Sequence, residues 1–385
     1  MGKLFLIEPE PAEEWIPFIG VRPIAELRVG AFRLWERWRR LLGADAVAVV
    51  SPATPRFADA DSVPLVDLSD VVGPAVVARS TFAPTGDPIA IPAGVRGLSG
   101  LGRTVGWVLE DGERWSGESE IADSIEIKGM RLGGVADLVT GCDRLLEDDC
   151  ASFLAIGGEG IPPACVVIGD PSRVIARTAA VEPHVIFDVR KGPIVLEPDS
   201  MVRAGTRLEG PLYVGEHSWL LGGAIRHSAI GPHCRVHGEV ANTVFLGYAN
   251  KSHDGFIGHS VIGHWVNLGA GTITSNLKNT YGPIRLALPT GQLETGRTNL
   301  GSLIGDHAKT AIGTLLGTGT VVGPGANVVA NPVSRYVPPF TWSADQRLTL
   351  DGFLTIARRV MPRRGVDLTP EIEASLRSLY DRLAQ

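Results

Sequence analysis

Histidine and asparagine side chains are concentrated between residues 251 and 276, which read Lys-Ser-His-Asp-Gly-Phe-Ile-Gly-His-Ser-Val-Ile-Gly-His-Trp-Val-Asn-Leu-Gly-Ala-Gly-Thr-Ile-Thr-Ser-Asn. An imidazole with an ordinary pKa of about 6.5 can accept a proton near neutral pH. A carboxamide can donate and accept hydrogen bonds, so it can hold a hydroxyl group or a developing negative charge. Proton transfer on a small polar molecule is therefore the chemistry that this stretch could perform.

The chain around this stretch carries aliphatic side chains with a period of six residues. Steps of six connect Leu196, Val202, Leu208, Val214 and Leu220, and then Ile304, Thr310, Leu316, Val322 and Val328. Shorter runs connect Ile175, Val181 and Phe187, Ile230 and Val236, and Ile262 and Leu268. This period is not that of an amphipathic helix or an alternating strand. It is typical of a hexapeptide β-helix, in which three short strands form each turn of a triangular prism. Residues 277–303 interrupt the period and are predicted to form a hairpin or loop outside the prism.

Different patterns flank the repeats. Residues 4–7 and 46–50 are short apolar runs typical of buried strands, and residues 24–42 have helical periodicity. A further helix is predicted over residues 134–153. After the prism, helices are predicted over residues 348–360 and 370–383, the second capped by Thr369. We therefore expect a small α/β domain of Rossmann type at residues 1–155, a left-handed parallel β-helix at 156–342 and a helical tail at 343–385.

Composition favours a cytoplasmic protein that acts on a small molecule. The 36 basic and 42 acidic residues give a net charge of −6, and the absence of a long basic run argues against nucleic acid or an anionic membrane as the main partner. The four cysteines lack the paired spacing of metal sites and fit a reducing compartment. No apolar stretch reaches the length of a membrane span. The apolar run over residues 4–7, which Glu8 interrupts, is too short for a signal peptide.

The stretch at 251–276 resembles the acetyltransferase half of the bacterial bifunctional N-acetylglucosamine-1-phosphate uridylyltransferase and glucosamine-1-phosphate N-acetyltransferase family, a branch of the hexapeptide-repeat acyltransferases. In that family a histidine on the prism wall stands before an aromatic-aliphatic-Gly step, and an Asn-Ile-Gly-Ala-Gly-Thr-Ile-Thr-x-Asn run follows one coil later. Those positions are His253, Phe256, Asn267 and Asn276 here, and they match without a gap. The resemblance implies an acyl-CoA-dependent N-acetyltransferase with acetyl-CoA as its co-substrate.

The same resemblance implies roles for individual side chains. His253 would be the general base that takes the proton of the sugar amine, because the amine must be neutral to attack the thioester carbonyl. Asn267 and Asn276 would bind sugar hydroxyls, the N-acetyl oxygen or the developing charge. Ala270 and Ala330 would line the groove for coenzyme A, where small residues let the pantetheine chain lie against the coil. Because this groove forms between neighbouring prisms in such enzymes, a homotrimer is implied.

The sequence departs from the family where the substrate phosphate is held. The family aromatic is a tyrosine, and Phe256 lacks its hydroxyl group. The family lysine that holds the phosphate is replaced by Ala241, and the arginine does not align. Nearby basic residues that could substitute for them are Lys251, Arg226 and Arg235. The substrate is therefore predicted only as an amino-sugar phosphate, similar to glucosamine 1-phosphate, or a nucleotide sugar.

Residues 21–38 resemble the opening of a shortened sugar-nucleotidyltransferase-like domain that is fused to such prisms in an alternative branch of the family. A working nucleotidyltransferase has a Gly-rich turn after its first strand, whose backbone N–H groups hold triphosphate. This turn instead contains Glu8, Pro9, Glu10, Pro11, Glu13 and Glu14. Carboxylates repel phosphate, and proline donates no hydrogen bond. Arg22 and Arg28 are the best candidates for nucleotide binding, and Mg²⁺ is expected only if this domain is an active nucleotidyltransferase.

Three other interpretations stay open. One is a bifunctional enzyme that also makes the nucleotide sugar. Another is a zinc enzyme, because His259 and His264, with His217 or His227, are similar in spacing to the zinc site of gamma-class carbonic anhydrases, although our main prediction includes no metal. The third is a non-catalytic trimeric scaffold, with His253 as a structural corner residue and the asparagines satisfying backbone groups in the turns.

Overall fold

The computed structural model describes residues 2–10, 12–50, 62–329, 331–343 and 346–384. The chain forms two compact units. The first unit contains residues 1–12, 19–27 and 32–133, and the second contains residues 13–18, 28–31 and 134–385. Each unit has its own hydrophobic core.

A mixed sheet forms the centre of the first unit. Strand Lys3–Ile7 runs parallel to Ala46–Val50 on one side and to Ala75–Arg79 on the other, and its apolar side chains are buried on both faces. Within the described residues the order across the sheet is Ser124–Glu126, Gly97–Gly100, Arg103–Leu109, Ala75–Arg79, Lys3–Ile7, Ala46–Val50 and Leu65–Val66. Arg103–Leu109 is antiparallel to both of its neighbours. Phe82–Pro84 and Gly129–Arg131 form a separate antiparallel pair.

The helix predicted over residues 24–42 is wrong in its first half. Residues Ile24–Glu26 form a single 3₁₀ turn, and helix α1 covers only Leu34–Leu42. The carboxylate of Glu8 accepts hydrogen bonds from two backbone N–H groups at the start of this turn (2.6 and 3.1 Å). These tertiary hydrogen bonds hold the segment in a conformation other than the helix that its periodicity favours. The residues between the turn and the helix include the short strands Arg28–Val29 and Phe32–Arg33.

A parallel β-helix of hexapeptide repeats forms most of the second unit, with three sides that we name faces A, B and C in the order of the chain. Face A carries Val174–Ala176, Ile194–Leu196, Leu212–Val214, Ala229–Ile230, Val244–Phe245, Val261–Ile262, Leu303–Ile304, Val321–Val322 and Tyr336–Val337. Face B carries Ala180–Val181, Met201–Val202, Asn250–Lys251, Lys309–Thr310 and Asn327–Val328. Face C carries Val166–Ile168, Ile186–Asp188, Arg207–Glu209, Phe256–Gly258, Ile273–Thr274 and Leu315–Leu316. Two longer strands, Trp219–Arg226 and Arg235–Ala241, continue from face B onto face C.

The six-residue period is confirmed as the core of the prism. All members of its two long runs are buried, and all except Thr310 belong to one apolar cluster. The first coil differs, because Val174 and Ala176 enter the cluster, whereas the predicted Ile175 is buried outside it. The six-residue period therefore predicts the inward positions correctly in its two long runs and fails at Ile175 in the first coil.

Several further elements lie outside the coils. Helices α2 (Ala136–Arg144) and α3 (Leu146–Ala151) take the place of the single helix predicted over 134–153. The predicted excursion at 277–303 is confirmed and contains the antiparallel hairpin Arg285–Leu288 and Gly291–Glu294. Short 3₁₀ turns occur at Glu13–Trp15, Leu68–Asp70, Pro171–Arg173 and Met361–Arg364.

The tail begins with the antiparallel strands Thr341–Ser343 and Gln346–Arg347 and continues with helices α4 (Leu350–Val360) and α5 (Pro370–Leu383). The Thr369 hydroxyl accepts a hydrogen bond from the N–H of Ile372, which confirms the predicted cap. The predicted succession of an α/β region, a parallel hexapeptide β-helix and a helical tail is thus confirmed. In the part of the chain described above, no helix is long and apolar enough to cross a membrane.

Candidate active site

His253 lies at the corner where the chain turns from face B to face C, and its side chain is exposed. Four residues, 252–255, separate Lys251 from Phe256 at this corner. In the coil below, only two residues separate the positions that pair with Lys251 and Phe256. The longer corner therefore overhangs the shorter one and presents the imidazole to solvent.

Gly255 lets the chain turn immediately after His253. Its φ is +134°, and a Cβ atom there would lie 2.2 Å from the carbonyl oxygen of Thr272 in the next coil. Any side chain at this position would push the corner away from the coil above. The position of His253 therefore depends on the close approach of two backbones.

Lys251 points into the prism, so the structure places it away from any surface ligand. Its side chain is buried (2% exposed), and Nζ donates hydrogen bonds to the carbonyl oxygens of His237 (2.6 Å) and His253 (2.8 Å). Burial lowers the pKa of Lys251 to about 8. Lys251 thus ties the His253 corner to the coil below from inside the core.

His237 is a residue at this corner that the sequence analysis missed. It belongs to the coil below, and its Nδ1 lies 3.2 Å from Oδ1 of the exposed Asp254. The sequence contains a signal for this position, because the inward residues Val236 and Val240 are four apart instead of six. A break in the period marks the short coil on which His237 lies beneath the overhanging corner.

Ala270 and Asn267 belong to the coil above His253. The N–H of Gly271 donates to the carbonyl oxygen of Asp254 (3.0 Å), which places Ala270 at the same corner as His253, one coil further on. Asn267 is exposed on face B, and its Oδ1 accepts a hydrogen bond from Asn250 Nδ2 (2.9 Å). The structure therefore brings His253 and Ala270 together.

Asn276 and Phe256 form a group of their own on face C. Asn276 Nδ2 lies 2.8 Å from His259 Nδ1, and burial lowers the pKa of His259. The amide donates in this pair, so the neutral imidazole carries its proton on Nε2. The ring of Phe256 and the Asn276 amide both pack over Gly258. Asn276 Oδ1 and the second N–H of Nδ2 are left for a substrate.

The predicted arginines of the prism lie on different faces. Arg226 is on face C and pairs with Glu239 (2.8 Å). Arg235 is on face B, lies over the ring of Trp219 (3.9 Å) and donates to two carbonyl oxygens. The structure therefore does not gather the basic residues chosen from the sequence around one point.

The two arginines proposed for nucleotide binding are buried, each with 4% exposure. In the first unit Arg22 pairs with Glu26 (3.0 Å). In the second unit Arg28 donates to the carbonyl oxygen of Ala31 and lies over the ring of Tyr213 (5.2 Å). Both side chains have internal partners.

Glu8 closes the turn after the first strand with its own carboxylate. Burial raises its pKa to about 7, although the hydrogen bonds from Ile24 and Ala25 oppose this shift. These two N–H groups are the kind of donors that a nucleotide-binding turn offers to phosphate. They are occupied by a side chain of the protein itself. Pro11 of this turn lies outside the described residues.

The histidines of the zinc interpretation lie at different corners. His227 and His259 have φ of +48° at the corner between faces C and A, whereas His217 and His264 lie between faces A and B. His217 stacks on His233 of the next coil (4.8 Å between centroids). Histidine tolerates the left-handed conformation of such corners better than most residues. Among the residues that the structure describes, no three His, Cys, Asp or Glu side chains are grouped to hold a metal ion.

A cavity of about 610 Å³ lies at the last coils. Its walls include the apolar side chains of Val328, Val329 and Val333. Among its described lining residues, Arg347 has the one charged side chain, and the sequence analysis did not select it. Ala330 itself lies outside the described residues.

Comparisons with known proteins find relatives that match part of the chain. No protein-family model matches the chain. A bifunctional sugar-1-phosphate nucleotidylyltransferase/acetyltransferase of Sulfurisphaera tokodaii is 28% identical over 151 residues, which cover 37% of each chain. The bifunctional protein GlmU of a Cyanothece species is 30% identical over 143 residues, 36% of this chain and 26% of that protein. The putative uncharacterized acetyltransferase YaiX of Escherichia coli K12 is 27% identical over 176 residues, 44% of this chain and 76% of YaiX.

These relatives and the hexapeptide prism point in the same direction. The chain is similar to the GlmU-like hexapeptide acyltransferases, both in its prism and over the matched stretches of sequence. It spans well under half the length of the two bifunctional relatives, at 37% and 26%. Each relative is named as an acetyltransferase, as GlmU, or as an enzyme that combines acetyl and nucleotidylyl transfer.

Proposed function

We propose that the protein is an acyl-CoA-dependent N-acetyltransferase that acts on an amino-sugar phosphate, similar to glucosamine 1-phosphate, or on a nucleotide sugar. The observation that carries this proposal is the exposed imidazole of His253 on an overhanging corner, with the small Ala270 one coil away. Acetyltransferase names among the relatives support it. We place the reaction in the cytoplasm.

His253 would act as the general base. The amine nitrogen attacks the thioester carbonyl of acetyl-CoA, the C–S bond breaks, and the imidazole takes the proton that the nitrogen loses. The imidazolium can then return this proton to the departing thiolate, so the products are the N-acetylated sugar and coenzyme A. Proton removal by a positioned base contributes typically about 10²–10⁴ to the rate.

Acetyl-CoA would lie along the later coils. Ala270 leaves room for a pantetheine chain beside His253, and the cavity next to Val328 and Val329 could receive the distal part of the cofactor. Exposed apolar side chains at Ile273 (42%), Ile312 (78%) and Leu315 (57%) lie on these coils. Such a surface is favourable only when it is covered. A neighbouring prism in a homotrimer would cover it and complete the groove.

The amino sugar would lie near Asn267 and the free Oδ1 of Asn276. Phe256 offers an apolar ring where the family has a hydroxyl group, so hydrogen bonds to the sugar would come from the asparagines. Arg226 is half-buried and already paired with Glu239, which leaves it a weaker candidate for the phosphate.

A second activity, nucleotidyl transfer by the first unit, is favoured by the name of the Sulfurisphaera relative. The occupied N–H groups at Glu8 oppose it. The carboxylate of Glu8 does not suit Mg²⁺, because its pKa is raised to about 7 and both oxygens already accept hydrogen bonds. Pyrophosphate release from UTP and a sugar 1-phosphate measures this activity directly.

Release of free thiol from acetyl-CoA in the presence of glucosamine 1-phosphate tests the main proposal. We expect His253→Ala to lower kcat by about 10²–10⁴ with an intact fold. His184→Asn is the matched control, because His184 is an exposed residue of an early coil with φ of +64°, a conformation that asparagine tolerates. Unchanged turnover in His253→Ala would refute the assigned base.

A further inference from the structure

The C-terminal tail closes a recess against face B. This tail recess, of about 360 Å³, is formed by Asn250, Asn267 and Lys309 on three successive coils and by Arg363 and Arg364 after helix α4. The tail holds its position through Arg364, whose Nε donates to a backbone carbonyl oxygen of the prism (3.2 Å). The recess therefore combines residues that are far apart in the sequence.

Three cations line the tail recess. In the described part of the chain, neither Lys309 nor Arg363 nor Arg364 is ion-paired, and the lining contains no carboxylate. Burial lowers the pKa of Lys309 to about 8. Burial, and then repulsion from Arg364, lower the pKa of the adjacent Arg235 to about 10. Like charges held together without a counter-charge are unfavourable unless an anion joins them.

The hydrogen bonds of the two asparagines leave a donor for the recess. A guanidinium group can only donate, so the contact from Arg364 Nη2 to Asn250 Oδ1 (3.4 Å) fixes the orientation of that amide. Asn250 Nδ2 then donates to Asn267 Oδ1 (2.9 Å), and Asn267 Nδ2 is left as a donor. Both carboxamide oxygens, Asn250 Oδ1 and Asn267 Oδ1, are therefore already used as acceptors.

Lys309 and Arg363 add further donors. Lys309 uses one of its three N–H groups on the carbonyl oxygen of His307 (3.0 Å). The guanidinium group of Arg363 has no hydrogen-bond partner among the described residues. The tail recess is therefore positively charged and offers donors on both of its sides.

We propose that the tail recess binds a phosphate group, held by Lys309, Arg363 and the amide of Asn267. Phosphate oxygens offer only acceptors and negative charge, which complement these donors. The volume exceeds that of one phosphate group, and the buried rings of Tyr248 and Trp265 form an apolar wall. Part of the molecule that carries the phosphate would lie against these rings.

Two molecules of the proposed reaction could supply the phosphate. They are the amino-sugar phosphate and coenzyme A, and their phosphoryl oxygens make the same demands on the recess. The inference rests on the recess and not on His253, because phosphate binding is measured without turnover. A failure of the acyltransfer proposal would leave it standing.

Isothermal titration calorimetry of the full chain with glucosamine 1-phosphate, and separately with coenzyme A, tests the inference. Arg363→Gln and Lys309→Met each remove one charge at nearly constant size. We expect either variant to raise the Kd of the phosphate-bearing probe about tenfold or more. Glucosamine and pantetheine, which lack the phosphate, should bind the variants and the wild type alike. Arg359→Gln is the matched control, since Arg359 is an exposed arginine of α4 outside the recess.

If the variants bind only glucosamine 1-phosphate more weakly, the recess is assigned to the sugar phosphate. If they bind only coenzyme A more weakly, it is assigned to the phosphates of the cofactor. Weakened affinity for both probes supports a shared phosphate site. Equal affinities of the wild type, Arg363→Gln and Lys309→Met overturn the inference, as does a wild type that binds neither probe. Arg363 is exposed, so its variant should unfold at the wild-type temperature and report binding alone.

Discussion

The turn after the first strand and the corner at His253 use ionisable side chains in opposite ways. In the turn, Glu8 reaches the backbone N–H groups that a ligand would need, and its carboxylate closes the site. At the corner, Lys251 satisfies backbone carbonyl oxygens from inside the prism, and the imidazole of His253 stays outside. An ionisable side chain thus closes one candidate site and supports the other. The difference is that Glu8 occupies N–H groups that a ligand would need, whereas Lys251 binds carbonyl oxygens from the core and leaves the outer side of the corner open.

The strongest way to break the open corner is Gly255→Ala. A Cβ atom 2.2 Å from the carbonyl oxygen of Thr272 forces the two coils apart, and we expect a loss of about 4 kcal/mol of unfolding free energy, together with a large loss of thiol release. Gly313→Ala is the control, because Gly313 has φ of +70° but no atom within 4 Å of its added Cβ. Its cost should be about 1 kcal/mol. Urea unfolding of both variants measures the difference, and equal costs would contradict the close approach.

Lys251→Met sharpens the comparison from inside the prism. The thioether fills the space of the lysine stem but leaves the carbonyl oxygens of His237 and His253 without their donor, so we expect a loss of about 3 kcal/mol and a lower kcat. Because the folded pKa of Lys251 is about 8, below its ordinary value, the folded protein binds fewer protons and its stability should rise with pH above about 8. Urea titrations from pH 7.5 to 10 should show less of this rise in the variant. An unchanged pH dependence would mean that the ammonium group is not held in the core.

The prism was more predictable from the sequence than the contents of its site. Each coil repeats the inward positions of the coil before it, so the six-residue period marks the core. Its interruption marks the excursion at 277–303. It also contained the position of Lys251, which lies six residues from both Phe245 and Ile257 on the inward side. The charge of Lys251 suggested a surface ligand, whereas its register predicts burial. For Lys251, the position in the six-residue period predicted the burial of the side chain better than its charge did.

Other features depend on contacts that no local pattern encodes. The hydrogen bond between Arg364 and Asn250 joins residues separated by 114 positions. The helix predicted over 24–42 is shortened because Glu8, earlier in the chain, binds its first N–H groups. Tertiary partners of charged side chains decided these cases.

Glu8→Gln tests the closed turn. Since burial raises the folded pKa of Glu8 to about 7, its contribution to stability is fully present below about 4.5 and is lost as the pH rises through 7. The wild type should therefore lose about 2 kcal/mol relative to Glu8→Gln between pH 4.5 and 8, less than the full shift implies because Glu8 is only half-buried and solvent screens its charge. Urea unfolding at several pH values measures this difference. Glu10→Gln, a change at an exposed carboxylate of the same turn, is the reference for the lost charge.

The smallest effect is expected for His259→Asn, which separates the acyltransferase from the zinc interpretation. His259 has φ of +48°, a conformation that asparagine also tolerates, so the corner should stay folded. Losing the bond between His259 Nδ1 and Asn276 should cost about 1 kcal/mol. Thiol release should fall only slightly, because His253 lies at another corner. Metal analysis provides the second measurement: stoichiometric zinc in the wild type that disappears in His259→Asn would place the chemistry at the histidine corners and away from His253.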